Sequence, residues 1–170
     1  MDIPAILRWL EASALATRIR ESLYFFPFLE SIHIVGIAIV LGSVFMIDLR
    51  LLGWAGMDQT LRQTTNRFGP WMMGALWLML ATGILMVIGE PVRELMTFSF
   101  WLKMFLVAVG TVIAAVFQRT VRKYEGDPVT SVPLKSLAVL TFLIWACIIV
   151  LGRLIAYDHI WGSWSPAAKS

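Results

Sequence analysis

The sequence predicts an all-α fold: an integral membrane four-helix bundle preceded by an amphipathic helix lying at the interface. Three observations carry this. Four apolar stretches each approach the ~20 residues that a helix needs to cross a bilayer. Only 15% of the 170 residues are charged, against a mean hydropathy of +0.78. Most of the charges flank the apolar stretches, and only a few, such as Glu30, Lys103 and Arg153, fall within them. So much oily surface, with ten Phe, nine Met and eight Trp, exceeds what one small water-solvated domain can bury. Disorder, and a soluble enzyme carried on a separate anchor, are both excluded.

The first span is placed at about 22–47, long enough to tilt, and ending before Asp48 and Arg50. The second, about 70–88, opens at Gly69-Pro70, where a proline costs little as the first helical residue, and closes before Gly89-Glu90-Pro91. The third, about 98–118, contains Lys103 and ends at the basic group Arg119, Arg122 and Lys123. The fourth, about 135–157, starts after Pro133 and is interrupted only by Arg153. Residues 3–18 alternate Ile6, Leu7, Leu10 and Leu15 with Arg8, Glu11 and Arg18, too polar and short to span, and read as one interfacial helix. They lack the charge order and cleavage site of a signal peptide and are expected in the mature chain. With no repeat, linker or low-complexity tract, residues 1–170 read as a single membrane domain.

Four spans put both termini on one side. Loops 1–2 and 3–4 carry seven basic residues (Arg50, Arg62, Arg67, Arg119, Arg122, Lys123, Lys135) against five on the other face (Arg8, Arg18, Arg20, Arg93, Lys169), which favours termini outside the cytoplasm. Topology and lipid headgroups thus account for a pI near 9.4, and no nucleic-acid reader is visible. The single cysteine, Cys147, allows no internal disulfide and no thiol cluster. The small pairs Ala38/Gly42, Gly110/Ala114 and Gly152/Ala156 are candidate packing contacts, or chance spacings of common residues.

Ionisable groups at membrane depth cost roughly 2.5 to 3.5 kcal/mol on insertion scales, so they are where function is sought. Glu30 and His33, three apart on the first span, share a face and are expected to point into the bundle. Lys103 and Arg153 fall in the same half of the bilayer. His159 follows at the same interface, beside the belt aromatics Trp161 and Trp164. A haem b site would use His33 as axial ligand, Lys103 or Arg153 against propionates, and Met, Lys103 or His159 as a second ligand; Glu30 would orient His33 or relay a proton. A quinone site would need an imidazole or carboxylate and aromatic walls such as Phe25, Phe26 or Trp101. A metal-ion or small-molecule permease would line a path with Glu30 and His33, with Met46, Met79, Met86 and Met104 as soft donors for Cu(I). The plainer readings are a buried ion pair of Glu30 with Lys103 or Arg153 that fixes register, a hydrogen-bonded core His33, a hydrated His159, and packing methionines. A structural subunit without ligand, assembling with itself or a larger complex through its small-residue faces, fits those. Asp48 and Arg50 are expected to bond to the following loop or to headgroups. Glu30-x-x-His33 also has di-iron spacing, but the second motif and further core carboxylates are missing; hydrolase and phosphate-loop motifs are missing too.

The string Glu30-Ser-Ile-His33-Ile-Val-Gly36, followed by Asp48-Leu-Arg50-Leu-Leu-Gly53, resembles a family of small bacterial inner-membrane proteins known only as a domain of unknown function. Phe117-Gln118-Arg119-Thr120-Val121 and Gly152-Arg153-Leu-Ile-Ala156-Tyr157 extend the likeness over most of the chain. The resemblance implies a bacterial inner (cytoplasmic) membrane location. More distantly, His33, Gly42-Ser43, Arg50, Thr82-Gly83 and Trp101-Leu-Lys103 look similar to the membrane protoporphyrinogen oxidase HemJ and, in general form, to the copper-resistance membrane protein CopD. That likeness implies cofactor roles for His33 and Lys103, although the Trp-x-x-Gly-Leu-Phe-Tyr core of the oxidase is absent here.

Overall fold

A computed structural model describes residues 3–123 and 132–157. Among these described residues, seven helices follow in order: α1 (Ile3–Glu11), α2 (Ala14–Arg20), α3 (Phe25–Leu52), α4 (Leu61–Gly89), α5 (Pro91–Leu95), α6 (Phe98–Lys123) and α7 (Val132–Leu154). Four of them, α3, α4, α6 and α7, are long and apolar enough to cross a membrane. They form an up-and-down bundle: α3 packs most extensively on α4, α7 packs on both α3 and α6, and α6 closes the ring against α4. Two apolar clusters fill it. Val40, Val44, Met72, Ala75, Trp145 and Ile148 occupy the middle, and Ile47, Leu51, Leu61, Val121 and Ala138 occupy the end where α3 turns into α4.

The N-terminal segment is two helices, not the single one expected over 3–18. Ser13 takes an extended conformation and its hydroxyl accepts the Ala16 N–H, ending one helix and capping the next. Both lie across one end of the bundle, α1 against α5 and α2 against α4. Arg20 ties them down by donating to the carbonyls of Glu11 and Gly89, each at 3.4 Å. Leu7, Ala16 and Ile19 are buried beneath, while Ile3, Trp9 and Leu15 remain outward, as an interfacial segment requires.

The second span also departs from expectation. Its helix begins nine residues before Pro70, at Leu61, and Pro70 stands inside α4. Thr60 and Gln63 form a full capping box, with the Thr60 hydroxyl accepting the Gln63 N–H and the Gln63 side chain accepting the Thr60 N–H. That start offsets the single backbone hydrogen bond that Pro70 denies to the carbonyl four residues earlier. The two polar turns before Pro70 lie outside the apolar run, so hydropathy alone could not include them. Likewise α3 runs past Asp48 and Arg50 to Leu52, and stops where Gly53 adopts φ 78° and Trp54 N–H reaches back to the Leu49 carbonyl.

Of the three small-residue pairs, one meets a neighbour. A Cβ on Gly110 would stand 3.4 Å from Ile144 and Trp145 of α7, whereas Gly42 has open space around it and Gly152 faces only the Lys103 stem, at 3.9 Å. A tighter contact joins α3 to α4 at Gly36, where a Cβ would stand 2.8 Å from Met79 Cγ and 3.7 Å from the Ala75 carbonyl. Overpacking of this kind costs about 1–3 kcal/mol. Gly36→Leu is therefore expected to lower the thermal unfolding midpoint in detergent, and Gly42→Leu to leave it nearly unchanged; equal effects would show that α3 and α4 do not meet at Gly36.

Candidate functional site

His33 lies eight residues into α3, Thr82 seven residues before the end of α4, and Lys103 five residues into α6. At 1.5 Å per residue these depths are about 12, 10 and 8 Å from the same end of the bundle. His33 is half-buried because it belongs to the inward row Leu29, His33, Gly36, Val40, whose 4-3-4 spacing tracks the helical repeat. Its Nδ1 lies 2.7 Å from the Thr82 hydroxyl oxygen. The same oxygen lies 2.9 Å from the Leu78 carbonyl and 3.2 Å from that of Met79. A hydroxyl has one proton. When it goes to the Leu78 carbonyl, Thr82 accepts from Nδ1–H and the His33 Nε2 keeps its lone pair. Among the described residues Nε2 has no hydrogen-bond partner.

Lys103 is within electrostatic range of both His33 and Glu94. Its stem passes Gly152 of α7, and its ammonium lies 5.3 Å from the centre of the Phe100 ring. Glu94, on the short α5 that closes this end, is buried. Burial pushes its carboxyl above the usual value of 4.5, while Lys103 and then Arg93 pull it back and Glu90 pushes it further up. Arg93 itself pairs with Glu90 on the same turn. Among the described residues, the short α5 thus delivers a buried carboxylate near Lys103.

The expected set is therefore brought together in part. His33 and Lys103 converge; Glu30 and Arg153 are exposed. Glu30 does not point into the bundle beside His33 as its spacing suggested. It stands about 100° from Leu29 on the helix, off the inward row, and only five residues from the start of α3, so it can reach headgroup water. Orientation of His33 falls to Thr82, and compensation of Lys103 to Glu94, neither of which sequence reasoning assigned. Thr82 was legible as the hydroxyl of an apolar run at the depth of His33; Glu94 sat in a connector too short to weigh. His159, Trp161 and Trp164 lie outside the described residues. Met46 and Met104 face outward, so the methionines do not form a ladder along the axis. The aromatic walls are likewise dispersed: Phe25 is exposed, Phe26 packs near Gly89, and Trp101 is exposed with its indole N–H donated to the Leu95 carbonyl at 2.9 Å.

At the other end, Arg50 is buried and organises the 53–60 loop, as expected, by donating from Nε to the Gln59 carbonyl at 2.6 Å. Asp48 does not join it in the loop. Because α3 continues past it, Asp48 turns inward and lies 3.1 Å, through each carboxylate oxygen, from the Thr141 hydroxyl of α7.

These features define the class: a multi-pass helical membrane protein, with polar side chains gathered at both ends of an apolar bundle. The chain belongs to the family of unknown function DUF6644, whose model matches residues 6–158. No curated protein and no solved structure matches it.

Glu94 supplies a test of this geometry. Since the fold favours its protonated form, the stability it contributes is full below pH 4.5 and is lost as pH rises through its raised folded value. Glu94→Gln is expected to gain thermal stability relative to the wild type as pH climbs from 4.5 toward neutrality. A relative loss over that range would show that attraction to Lys103 outweighs burial.

Proposed function

We propose that this protein is a small redox component of the membrane that takes haem b at the N-terminal end of the bundle, where the His33 Nε2 would hold the iron. The observation that carries this reading is the 2.7 Å contact between His33 Nδ1 and the Thr82 hydroxyl. A ligating imidazole characteristically has its other nitrogen held by a partner that fixes tautomer and ring orientation. Here that partner comes from a different span, so the ring is oriented by the packing of two helices.

The donor set fits this group better than a bare ion. Among the described residues no three His, Cys, Asp or Glu side chains converge, so a protein-only cage has no support. A porphyrin brings four nitrogens of its own and asks the chain for one or two. Lys103, at the same end and nearer the interface, would pair with a propionate, and the exposed Arg153 at the end of α7 would offer a second cation. Bound there, haem supplies one-electron chemistry. The chain's own part is to aim Nε2, to balance negative charge with Lys103, and to exclude water with the apolar cluster beneath. On this reading the protein works in a bacterial inner membrane with its termini on the periplasmic side.

Protein purified from haem-replete cells is expected to show a Soret band. His33→Ala should abolish it with the helical content intact. Thr82→Val, which keeps the shape and loses the hydrogen bond, should retain a band with weakened haem retention. Colourless wild-type protein that stays colourless on titration with haemin would contradict the proposal.

A further inference from the structure

In the half of the bundle remote from His33, the outer side of the α3–α4 pair carries an open groove of about 340 Å³. Ile39 of α3 lines it together with Pro70, Trp71, Gly74, Ala75 and Leu78 of α4, all of them apolar. Two adjacent residues without bulk create it. A Cβ on Gly74 would meet nothing within 4 Å, and Ala75 beside it is nearly as small, while Trp71 and Leu78 stand about one turn away on either side. Depth fixes what this groove can face. From Pro70 to Gly89 is nineteen residues, or about 28 Å of helix, which places Pro70 at the edge of a ~30 Å hydrocarbon core. From Pro70 to Leu78 is eight residues, or about 12 Å, most of the ~15 Å that belongs to one leaflet.

The outer end of the groove is polar. Arg67, Trp71, Gly74 and Leu78 follow a 4-3-4 spacing and stand in one stripe of α4, within about 60° of one another. Arg67 is exposed, and its guanidinium carbon lies 5.6 Å from the centre of the Phe68 ring. Phe68 packs on the cluster that includes Ile47 and Leu51 of α3, so this contact draws the cation round α4 toward α3, over the mouth of the groove. Arg67 stands about 4.5 Å outward of Pro70, at the depth of headgroup phosphates. Pro70 adds an acceptor. Having no N–H, it leaves the carbonyl of the exposed Asn66 without its helical donor. Trp71, also exposed, brings an indole N–H to the boundary where amphipathic aromatics settle. A cation, an acceptor and a donor thus surround one end of a slot that is otherwise apolar.

We infer that this groove binds one anionic phospholipid, with an acyl chain lying along Gly74 between Ile39 and Leu78 and the phosphate paired with Arg67. Length and charge both select this occupant. The slot runs inward from the headgroup level and ends near the middle of the bilayer, as a single acyl chain does, and a guanidinium matches phosphate oxygens in a bidentate pair. A glycerol headgroup carries hydroxyls that can donate to the Asn66 carbonyl. A choline headgroup has no such donor and its own cation opposes Arg67. A second copy of the chain fits less well, because a two-fold contact through this face would bring the two Arg67 side chains together at one depth. The groove shares no residue with the His33 site and stands or falls apart from it.

Native mass spectrometry of the full-length protein, released from nanodiscs holding phosphatidylglycerol and phosphatidylcholine in equal amounts, tests the inference. The wild type should retain one lipid, with phosphatidylglycerol in excess. Arg67→Gln keeps the apolar slot and should lower that excess about fivefold, the equivalent of ~1 kcal/mol for one basic residue near a membrane surface. Gly74→Leu fills the slot without meeting a neighbour and should lose the retained lipid; Leu78→Trp repeats this arm from the deeper end should the first variant not fold. Arg62→Gln, about 140° away round the same helix, should change neither reading. Wild-type protein that emerges without lipid, equal retention of the two lipids, retention that ignores the filled slot, a loss of preference as large in Arg62→Gln as in Arg67→Gln, or a dimer that Gly74→Leu converts to monomer with lipid unchanged would each overturn it.

Discussion

Inside a bilayer a polar side chain has no water to return to, so each one needs a partner within the protein or an opening to the surface. The bundle answers that constraint by position. Its middle is the apolar cluster around Val40, Met72, Ala75 and Trp145, and the charged groups and His33 sit within about two turns of one end or the other. Magnitudes show which contacts satisfy the constraint. An interhelical hydrogen bond in a membrane is worth about 0.6 kcal/mol on average, so the His33–Thr82 contact sets orientation more than it adds stability. A lysine inserted at full depth costs roughly 2.5 to 3.5 kcal/mol, which one such bond cannot offset. Lys103 is tolerable because it lies only about 8 Å in, beside Glu94 and Phe100.

Helix α3 is the common element. Its inward face carries His33 toward one end and Asp48 toward the other, fifteen residues or about 22 Å apart. Each meets a hydroxyl on a different neighbour, Thr82 on α4 and Thr141 on α7, and so α3 is held in register against both. The close approach at Gly36 sits between them, where Met79 and Ala75 of α4 leave no space for a side chain. A rotation of α3 that relieved one of these contacts would break the others.

The number of spans, their apolar character and the convergence of His33 with Lys103 were legible because they depend on hydropathy and on depth, both of which can be counted along the chain. Facing was not. Glu30 and His33 are three apart and so share a broad face, but which of them points inward depends on where the 4-3-4 row Leu29, His33, Gly36, Val40 lies, and α3 is apolar nearly all round. Pro70 looked like a helix start because the polar turns before it fall outside the hydrophobic run, although Thr60-Leu-Arg-Gln63 carried the capping-box signature. Asp48 looks like a helix end for the same reason: charge suggests the boundary, and Gly53 sets it. Glu94 acts through tertiary neighbours that no local pattern announces.

The account rests on the state of one imidazole. Nitrogen-15 magnetic resonance of histidine-labelled protein in bilayers, with His159 replaced so that His33 alone reports, reads it directly. The expected result is a neutral ring with the proton on a hydrogen-bonded Nδ1 and an unprotonated Nε2. A proton on Nε2, or an imidazolium at neutral pH, would mean that His33 offers no lone pair to a ligand and that Thr82 holds it for packing alone.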